Sequence, residues 1–364
     1  MTPIAPSSVA WTDPARHAAF QTWLAGVAAT HRLDPATVSL ASADASFRRY
    51  LRIGTTDGND SRIIMDAPPD KENCAPFVAV ARLMADAGLR VPKVLAWDEP
   101  CGFLLLTDLG PDTMMRALQP DRPEANRPLY EQAIDALIAW QLASKPGVLP
   151  AYDAQLLERE LALFPDWYLA RHRGVVIDET MRETLNTMFS RIVERCLAAP
   201  AVYVHRDFMP RNLMLPAPGD ARLGVLDFQD AVHGPITYDI ASLMRDAFLS
   251  WDEDFVLDIT VRYWQQARKA GLLGAGSPSG WGDDFGEFYR GVEWMGLQRH
   301  LKVAGIFARL TLRDGKAKYL RDAPRFIGYI RATASRYREL APLLRLIDQV
   351  EGTQAAVGYA FGRF

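Results

Sequence analysis

The sequence has few cysteines and no long apolar run, and each absence excludes a class of protein. Its three cysteines, Cys74, Cys101 and Cys196, are odd in number and far apart in the chain. This spacing fits neither a disulfide framework nor a zinc site, and it predicts buried free thiols in a reducing compartment. No apolar stretch approaches the roughly 18 residues needed to span a bilayer, and the first residues lack the basic and apolar regions of a secretory signal. We therefore expect a cytoplasmic protein without a membrane partner.

An excess of charge of one sign is also missing. The chain has 41 Lys and Arg against 44 Asp and Glu, which gives a formal net charge of -3. This balance gives no general attraction to nucleic acid, so any phosphate-binding site must be local. With 49% hydrophobic and 23% charged residues over 364 positions, the chain has the composition of a soluble globular protein large enough for two lobes. We expect a monomer that binds small molecules and no nucleic acid.

Three regions follow one another along the chain. Residues 1–11 are rich in Pro and Ser and predict a mobile arm. Residues 12–108 predict a small N-lobe with a helix, three strands, a second helix and two further strands. Residues 109–364, after the turn-rich Asp108-Leu109-Gly110-Pro111, carry mainly helical periodicity. The predicted helices include 156–169, which is expected to be interrupted near Pro165. The fold class is therefore α+β, with a small mixed sheet in the N-lobe and a mostly helical C-lobe.

A polar loop between two short apolar strands is the most informative stretch. It reads Tyr203-Val204-His205-Arg206-Asp207-Phe208-Met209-Pro210-Arg211-Asn212-Leu213-Met214-Leu215, and Leu223-Gly224-Val225-Leu226-Asp227-Phe228-Gln229-Asp230 follows after a Pro/Gly-rich turn. The last two apolar strands predict a hairpin with polar groups at its mouth, where Asp207, Asn212 and Asp227 are expected to converge. H-R-D-x-x-x-x-N followed by an aspartate after a strand is an arrangement used for phosphoryl transfer. We interpret it as a kinase-type site.

Together these features resemble the protein-kinase-like fold, in the branch of the aminoglycoside phosphotransferases and choline kinases. That branch continues with G-x-x-x-x-D-x-A, which appears here from Gly234 through Asp239 to Ala241. Four stretches resemble the anomeric kinases of bacterial cell-wall recycling, which phosphorylate N-acetylmuramate and N-acetylglucosamine at C1. They are Asp44-Ala45-Ser46-Phe47-Arg48-Arg49-Tyr50, Met65-Asp66-Ala67-Pro68-Pro69, the segment from Val225 to Ala241 and the segment from Gly296 to Phe307.

The resemblance implies a role for each polar residue of the loop. Asp207 orients the acceptor hydroxyl. Asn212 and Asp227 supply oxygen ligands to the Mg²⁺ that is bound together with ATP. His205 and Asp239 support the catalytic loop by hydrogen bonding.

The nucleotide side departs from the protein-kinase pattern. The turn before Phe47 contains no glycine, so phosphate contact is expected from Ser46, and the third strand ends without the phosphate-binding lysine. Arg48, Arg49 or Arg52 is expected to replace that lysine, with the first two favoured; the alternative is that these arginines are exposed strand residues. Adenine is expected at the backbone of Thr107, Asp108 and Leu109.

Substrate residues are expected from the second lobe. Candidates for contact with an amino sugar are Glu160, Trp167, Arg211, Asp230 and Arg299. For Trp167 the alternative is a place in the core. The cluster of Arg299, His300 and Lys302 has two alternative interpretations. It either binds a carboxylate of the substrate or forms a solvent-exposed helix face.

The leading hypothesis is thus an ATP-dependent sugar 1-kinase. An aminoglycoside or other small-alcohol phosphotransferase is the first rival, although the balanced charge does not favour a polycationic substrate. A nucleotide-binding pseudokinase is the second rival. Its only support is that the third strand lacks the phosphate-binding lysine and the turn before Phe47 lacks glycine.

Overall fold

The computed structural model describes residues 9–43, 47–274 and 280–353. The chain divides into two compact units, and the first contains Met1–Leu118 together with Pro210–Asp230. The second contains Gln119–Met209 and Ala231–Phe364. The predicted mobile arm lies mostly outside the described residues, but within the described part Val9 and Trp11 pack against the core of the first unit.

The first unit is built on one antiparallel sheet with the strand order β1-β2-β3-β5-β4. Its strands are β1 (Ser39–Ala43), β2 (Arg49–Gly54), β3 (Ser61–Asp66), β4 (Val94–Asp98) and β5 (Phe103–Thr107). Apolar side chains of β2, β3 and β5 form the core, including Leu51, Ile64 and Phe103. Burying each such side chain stabilises the fold by about 1.5–3 kcal/mol. Gly102 is required between β4 and β5, because a Cβ there would collide with the Ala67 carbonyl oxygen.

The described part of the first unit also contains three α-helices. They are α1 (Pro14–His31), α2 (Ala75–Asp86) and α3 (Met114–Ala117). Asp13 caps the start of α1, and its carboxylate accepts hydrogen bonds from the N–H groups of Ala15 and Arg16. The helix packs Phe20 and Leu24 into the sheet core.

A short hairpin, β7 (Leu213–Met214) with β8 (Gly224–Val225), belongs to the first unit although it follows the second unit's residues in sequence. Arg90 ties it to that unit by donating to the carbonyl oxygens of Leu109 at 2.8 Å and Leu215 at 3.0 Å. The rings of Phe77 on α2 and Phe228 after the hairpin stack at 4.9 Å.

The second unit is mainly helical. Its helices are α4 (Arg127–Leu142), α5 (Ala154–Leu161), α6 (Glu179–Leu197), α7 (Thr237–Met244), α8 (Glu253–Lys269), α9 (Phe285–Leu312), α10 (Ala323–Arg336) and α11 (Ala341–Glu351). Two strands, β6 (Ala201–Val204) and β9 (Val232–Pro235), pair antiparallel at the start of the catalytic loop. Most of α9 is buried, and Gly305 lets this helix approach the backbone of Leu163, with which a Cβ at position 305 would collide.

The predicted fold class is confirmed, with three differences of detail. The sheet expected to be mixed is antiparallel at every described pairing. The helix predicted over 156–169 is interrupted near Pro165 as expected, but the part after α5 is a π-helix, Phe164–His172, that ends three residues later than predicted. Strand β9 was not predicted, since its sequence contains Gly234 and Pro235.

The cysteines and the helix lengths bear on two further expectations. Cys74 and Cys196 are buried free thiols, whereas Cys101 is only half-buried. Within the three described ranges, no helix combines the length and apolar character needed to cross a bilayer. The predicted lobe boundary after residue 108 stays a prediction.

Candidate active site

The catalytic loop begins after strand β6, whose end is buried. His205 is 1% exposed, and its Nδ1 accepts the backbone N–H of Asp207 at 3.2 Å. The side chain of Asp207 is half-buried.

Asp239 on α7 anchors the start of this loop. Its carboxylate is fully buried and accepts the N–H of His205 at 2.7 Å and the N–H of Arg206 at 3.0 Å. Burial raises the pKa of Asp239, while His205 and the two backbone donors act in the opposite direction. The G-x-x-x-x-D-x-A motif thus supplies a carboxylate directly to the H-R-D motif.

Glu160 and Arg299 also contact this loop. Arg299 is 4% exposed, donates to the carbonyl oxygen of Arg206 at 2.9 Å and lies 4.7 Å above the Tyr238 ring. Glu160 is buried on α5 and pairs with Arg206 at 2.5 Å and with Lys302 at 2.7 Å. Of the expected cluster on α9, Arg299 therefore contacts the loop directly, and Lys302 reaches it through Glu160.

His300, in the same cluster, carries no charge near neutral pH. It is 3% exposed, and burial lowers its pKa to about 3. The expected three-cation cluster consequently contains two cations, Arg299 and Lys302.

The hairpin of the first unit brings Asn212 and Asp227 together. The Asn212 amide nitrogen donates to Asp227 Oδ2 at 3.3 Å, and the Gln229 amide donates to Asp227 Oδ1 at 3.0 Å. The backbone N–H of Leu226 donates to the Asn212 carbonyl oxygen at 2.9 Å, which holds the two strand ends in register. Asp227 has a φ of 63°, a left-handed conformation that Asp adopts more readily than most residues.

These groups fit Mg²⁺. Among the described residues no group of three or more His, Cys, Asp or Glu side chains is placed to hold a metal. Mg²⁺ is commonly bound by one or two carboxylates together with substrate phosphates and water, so a dedicated cage is not needed. Asn212 and Asp227 offer hard oxygen atoms. The amide nitrogen of Gln229 donates to Asp227, whereas its buried Oε1 has no hydrogen-bond partner in the described part of the chain.

Arg48, Arg49 and Arg52, the three candidates for phosphate contact, are each paired with a carboxylate. Arg48 contacts Glu72 at 3.0 Å, in a pair where both side chains are largely buried. Arg49 donates to Asp66 at 3.0 Å from the facing position of β3, and Arg16 holds the other oxygen of Asp66. These contacts do not fit the alternative of exposed strand residues.

Arg52 is paired at the segment where adenine is expected. It contacts Asp108 at 2.6 Å and 3.2 Å, and Asp108 also accepts from Ser61 at 2.7 Å. The Thr107 N–H donates to the Lys93 carbonyl oxygen, and the Leu109 carbonyl accepts from Arg90. These contacts hold residues 107–109 in place, and several polar groups of this segment already form hydrogen bonds within the protein.

The remaining predicted residues are distributed over both units. Ser46, like the rest of 44–46, lies outside the described residues. Arg211 and Asp230 are exposed on the first unit's hairpin segment. Trp167 is half-buried in the π-helix of the second unit, with the Arg171 guanidinium 4.0 Å from its ring centre, so it is not a fully buried core residue.

Sequence reasoning missed several partners. Gln229 stands inside the D-F-Q-D stretch, so its place next to Asp227 was a usable signal. Glu72, which pairs with Arg48, and Tyr152, whose hydroxyl donates to Glu160, carry no such signal, because no motif connects the paired residues. Gln298 lies in the segment noted for its family likeness but had no assigned role.

The sheet, the H-R-D loop anchored by Asp239 and the amide–carboxylate hairpin define the class of a kinase-like phosphotransferase. The sequence profile of the phosphotransferase enzyme family matches residues 37–273. The ADP-bound aminoglycoside phosphotransferase APH(2'')-Ib has a similar fold, with a TM-score of 0.55 at 12% identity over 86% of this chain and 96% of that one.

Two relatives are far closer in sequence. An N-acetylmuramate/N-acetylglucosamine kinase of Neisseria meningitidis is 47% identical over 326 residues, which cover 89% of this chain and 94% of that protein. The protein of the same name from Pseudomonas aeruginosa is 49% identical over 322 residues, covering 88% and 91%. The chain belongs to the phosphotransferase enzyme family. The resemblance inferred from its motifs is confirmed.

Proposed function

We propose that this protein is an ATP-dependent kinase that phosphorylates the anomeric C1 hydroxyl of N-acetylmuramate, N-acetylglucosamine or both. The intact set of Asp207, Asn212 and Asp227 carries the proposal, because a pseudokinase has no need of it. Identity of 47% and 49% to the two relatives over most of both chains favours the amino sugars over an aminoglycoside.

In this proposal Asp207 accepts a hydrogen bond from the acceptor hydroxyl and holds its oxygen toward the γ-phosphate. An anomeric hydroxyl is more acidic than an ordinary alcohol, so a carboxylate is an adequate base for it. Asn212 and Asp227 would hold Mg²⁺, which supplies charge neutralisation for the phosphates. Thr107, Asp108 and Leu109 would meet adenine, and Trp167, Arg211, Asp230 and Arg299 remain candidates for the sugar side.

The first test is the identity of the product. We expect sugar-dependent ADP release with an N-acetylated amino sugar, and phosphorus NMR of the product showing coupling of the phosphate to the C1 proton. A sugar blocked at C1 as its methyl glycoside serves as the control and should give no turnover. A C6 phosphate would contradict the anomeric assignment, and turnover only with an aminoglycoside would favour the first rival function.

Arg48 is the cation that we propose for the phosphates. In protein kinases the small-lobe lysine that contacts phosphate pairs with a glutamate, and Arg48 with Glu72 offers the same kind of pair in this protein. Arg49 instead completes the buried Arg16–Asp66–Arg49 group, so its removal would leave Asp66 less well paired.

We therefore predict that Arg48→Gln raises the KM for ATP roughly 10- to 100-fold, the loss expected for one charged hydrogen bond of about 1.5–3 kcal/mol. Arg49→Gln should mainly lower the melting temperature. Arg62→Gln, which removes an arginine paired with Asp60 on the same sheet, is the matched control. Steady-state kinetics with ATP varied and thermal unfolding distinguish these results; an unchanged KM in Arg48→Gln would remove Arg48 from the phosphate site.

A further inference from the structure

Arg206, immediately before Asp207, has a backbone conformation that residues other than glycine rarely adopt. Its φ is 78°, in the left-handed region where the side chain crowds the backbone. Such a conformation persists only where surrounding contacts fix it more strongly than the residue's own preference. The contacts that hold Arg206 are consequently contacts that place the peptide leading to Asp207.

Three different elements of the second unit hold Arg206. Its N–H donates to Asp239 on α7 at 3.0 Å, and its carbonyl oxygen accepts from Arg299 on α9 at 2.9 Å. Its guanidinium donates to Glu160 on α5 at 2.5 Å. Two contacts fix the backbone on either side of the Cα atom, and the third fixes the side chain.

Glu160 is fully engaged by protein donors. Besides Arg206, it receives Lys302 at 2.7 Å, Gln298 at 3.0 Å and the hydroxyl of Tyr152. A carboxylate has about four acceptor positions, and these four donors account for them. Burial alone would raise the pKa of Glu160, but Lys302 and Arg206 outweigh it and lower the pKa to about 2, so the group stays charged at neutral pH.

We propose that Glu160 is a positioning residue for the catalytic loop: it holds Arg206, and through Arg206 the peptide that presents Asp207. Lys302 keeps Glu160 charged and in place. The assignment rests on the proposed function, because it takes Asp207 as the group that orients the acceptor hydroxyl. It differs from the sequence-based expectation that Glu160 contacts the sugar, and the two make different kinetic predictions.

The kinetic test compares Glu160→Gln with Glu158→Gln, an exposed glutamate on the same helix. A reacting group displaced by about 1 Å loses on the order of 100-fold in rate, so we expect kcat to fall roughly 10- to 100-fold. The KM for the sugar should stay within about twofold of the control, because no sugar contact is removed. An unchanged kcat, or a KM for the sugar raised about tenfold at normal kcat, would overturn the proposal.

Arg206→Gln provides a second variant that breaks the same contact. It leaves Glu160 with Lys302, Gln298 and Tyr152, so the buried carboxylate keeps its counter-charge and the fold is expected to persist. The loss in kcat should match that of Glu160→Gln, and the double variant should lose no more than either single variant, since both remove one interaction. Additive losses would contradict a shared role.

Hydrogen exchange tests the placement without any sugar. Amides of 203–209 should exchange faster in Glu160→Gln and Arg206→Gln than in Glu158→Gln, while the rest of the second unit is unchanged. If the parent protein turns over no amino sugar, the proposed function fails, and the exchange result still decides the positioning role. Exchange in 203–209 equal to the control would overturn that role.

Discussion

Asp207→Ala is expected to abolish turnover with N-acetylated amino sugars while leaving ATP binding intact. General-base contributions amount to about 10²–10⁴ in rate, and an alanine also loses the hydrogen bond that aligns the acceptor oxygen with the phosphate. Asp207 lies in the second compact unit, whereas Asn212, Asp227 and the nucleotide-contacting candidates lie in the first. The substitution therefore removes no group assigned to the nucleotide.

The measurement pairs steady-state kinetics with ATP titration by calorimetry. Asp121→Ala, at an exposed position of the second unit, is the control for loss of a carboxylate. We expect the Kd for Mg-ATP to stay within about threefold of the parent value, since the change in kcat reflects an interaction made at the reacting oxygen. Turnover equal to that of Asp121→Ala would remove Asp207 from its proposed role.

The order of helices and strands was largely readable from the sequence because most elements have their own periodicity and end signals. The order predicted for residues 12–108, a helix, three strands, a second helix and two further strands, is the order observed from α1 to β5. Pro and Gly mark most of the boundaries, and their backbone restrictions act locally. Strand β9 escaped prediction because its pairing with β6 is decided by tertiary contacts, such as Gly234 against Tyr152, and not by strand-forming residues.

The site was predictable where motif residues act on one another. Asn212 and Asp227 meet because a short hairpin joins them, and Asp239 reaches the H-R-D loop through a recognisable motif. The roles of residues on helices were less accessible, because side-chain type alone does not indicate which buried partner takes the charge. Glu160 illustrates this: its pairing with Arg206 and Lys302 joins three elements that are remote in sequence.

The partners of Arg48, Arg49 and Arg52 could not be predicted for the same reason, because residue type alone does not indicate which carboxylate a charged side chain contacts. Three candidate cations occur within five positions, and only the register of β2 with β3 shows that Arg49 faces Asp66. Sequence alone offered no way to predict that Arg48 would pair with Glu72, a residue of the segment before α2. Of the three candidates, Arg48 pairs with a glutamate and the other two with aspartates, and this is why we propose Arg48 for the phosphates.

Asp227→Asn is expected to remove the dependence of ATP binding on Mg²⁺. Asn tolerates the left-handed conformation at least as well as Asp, so the φ of 63° is kept and only the charge is lost. A neutral amide in place of the carboxylate leaves Mg²⁺ without its charged protein ligand, and we expect kcat/KM to fall on the order of 10³-fold.

ATP titration with and without Mg²⁺ separates loss of the metal from general damage. The parent protein should bind ATP more tightly when Mg²⁺ is present, and Asp227→Asn should show the same affinity in both conditions. Asp220→Asn, in the turn of the same hairpin where it pairs with Arg222, is the matched control and should retain the Mg²⁺ effect. A normal Mg²⁺ effect in Asp227→Asn would place the metal elsewhere. We thus expect Asp207→Ala to keep the Mg²⁺ effect on ATP binding and Asp227→Asn to lose it, and this pair of results would assign acceptor activation to the catalytic loop and metal binding to the hairpin.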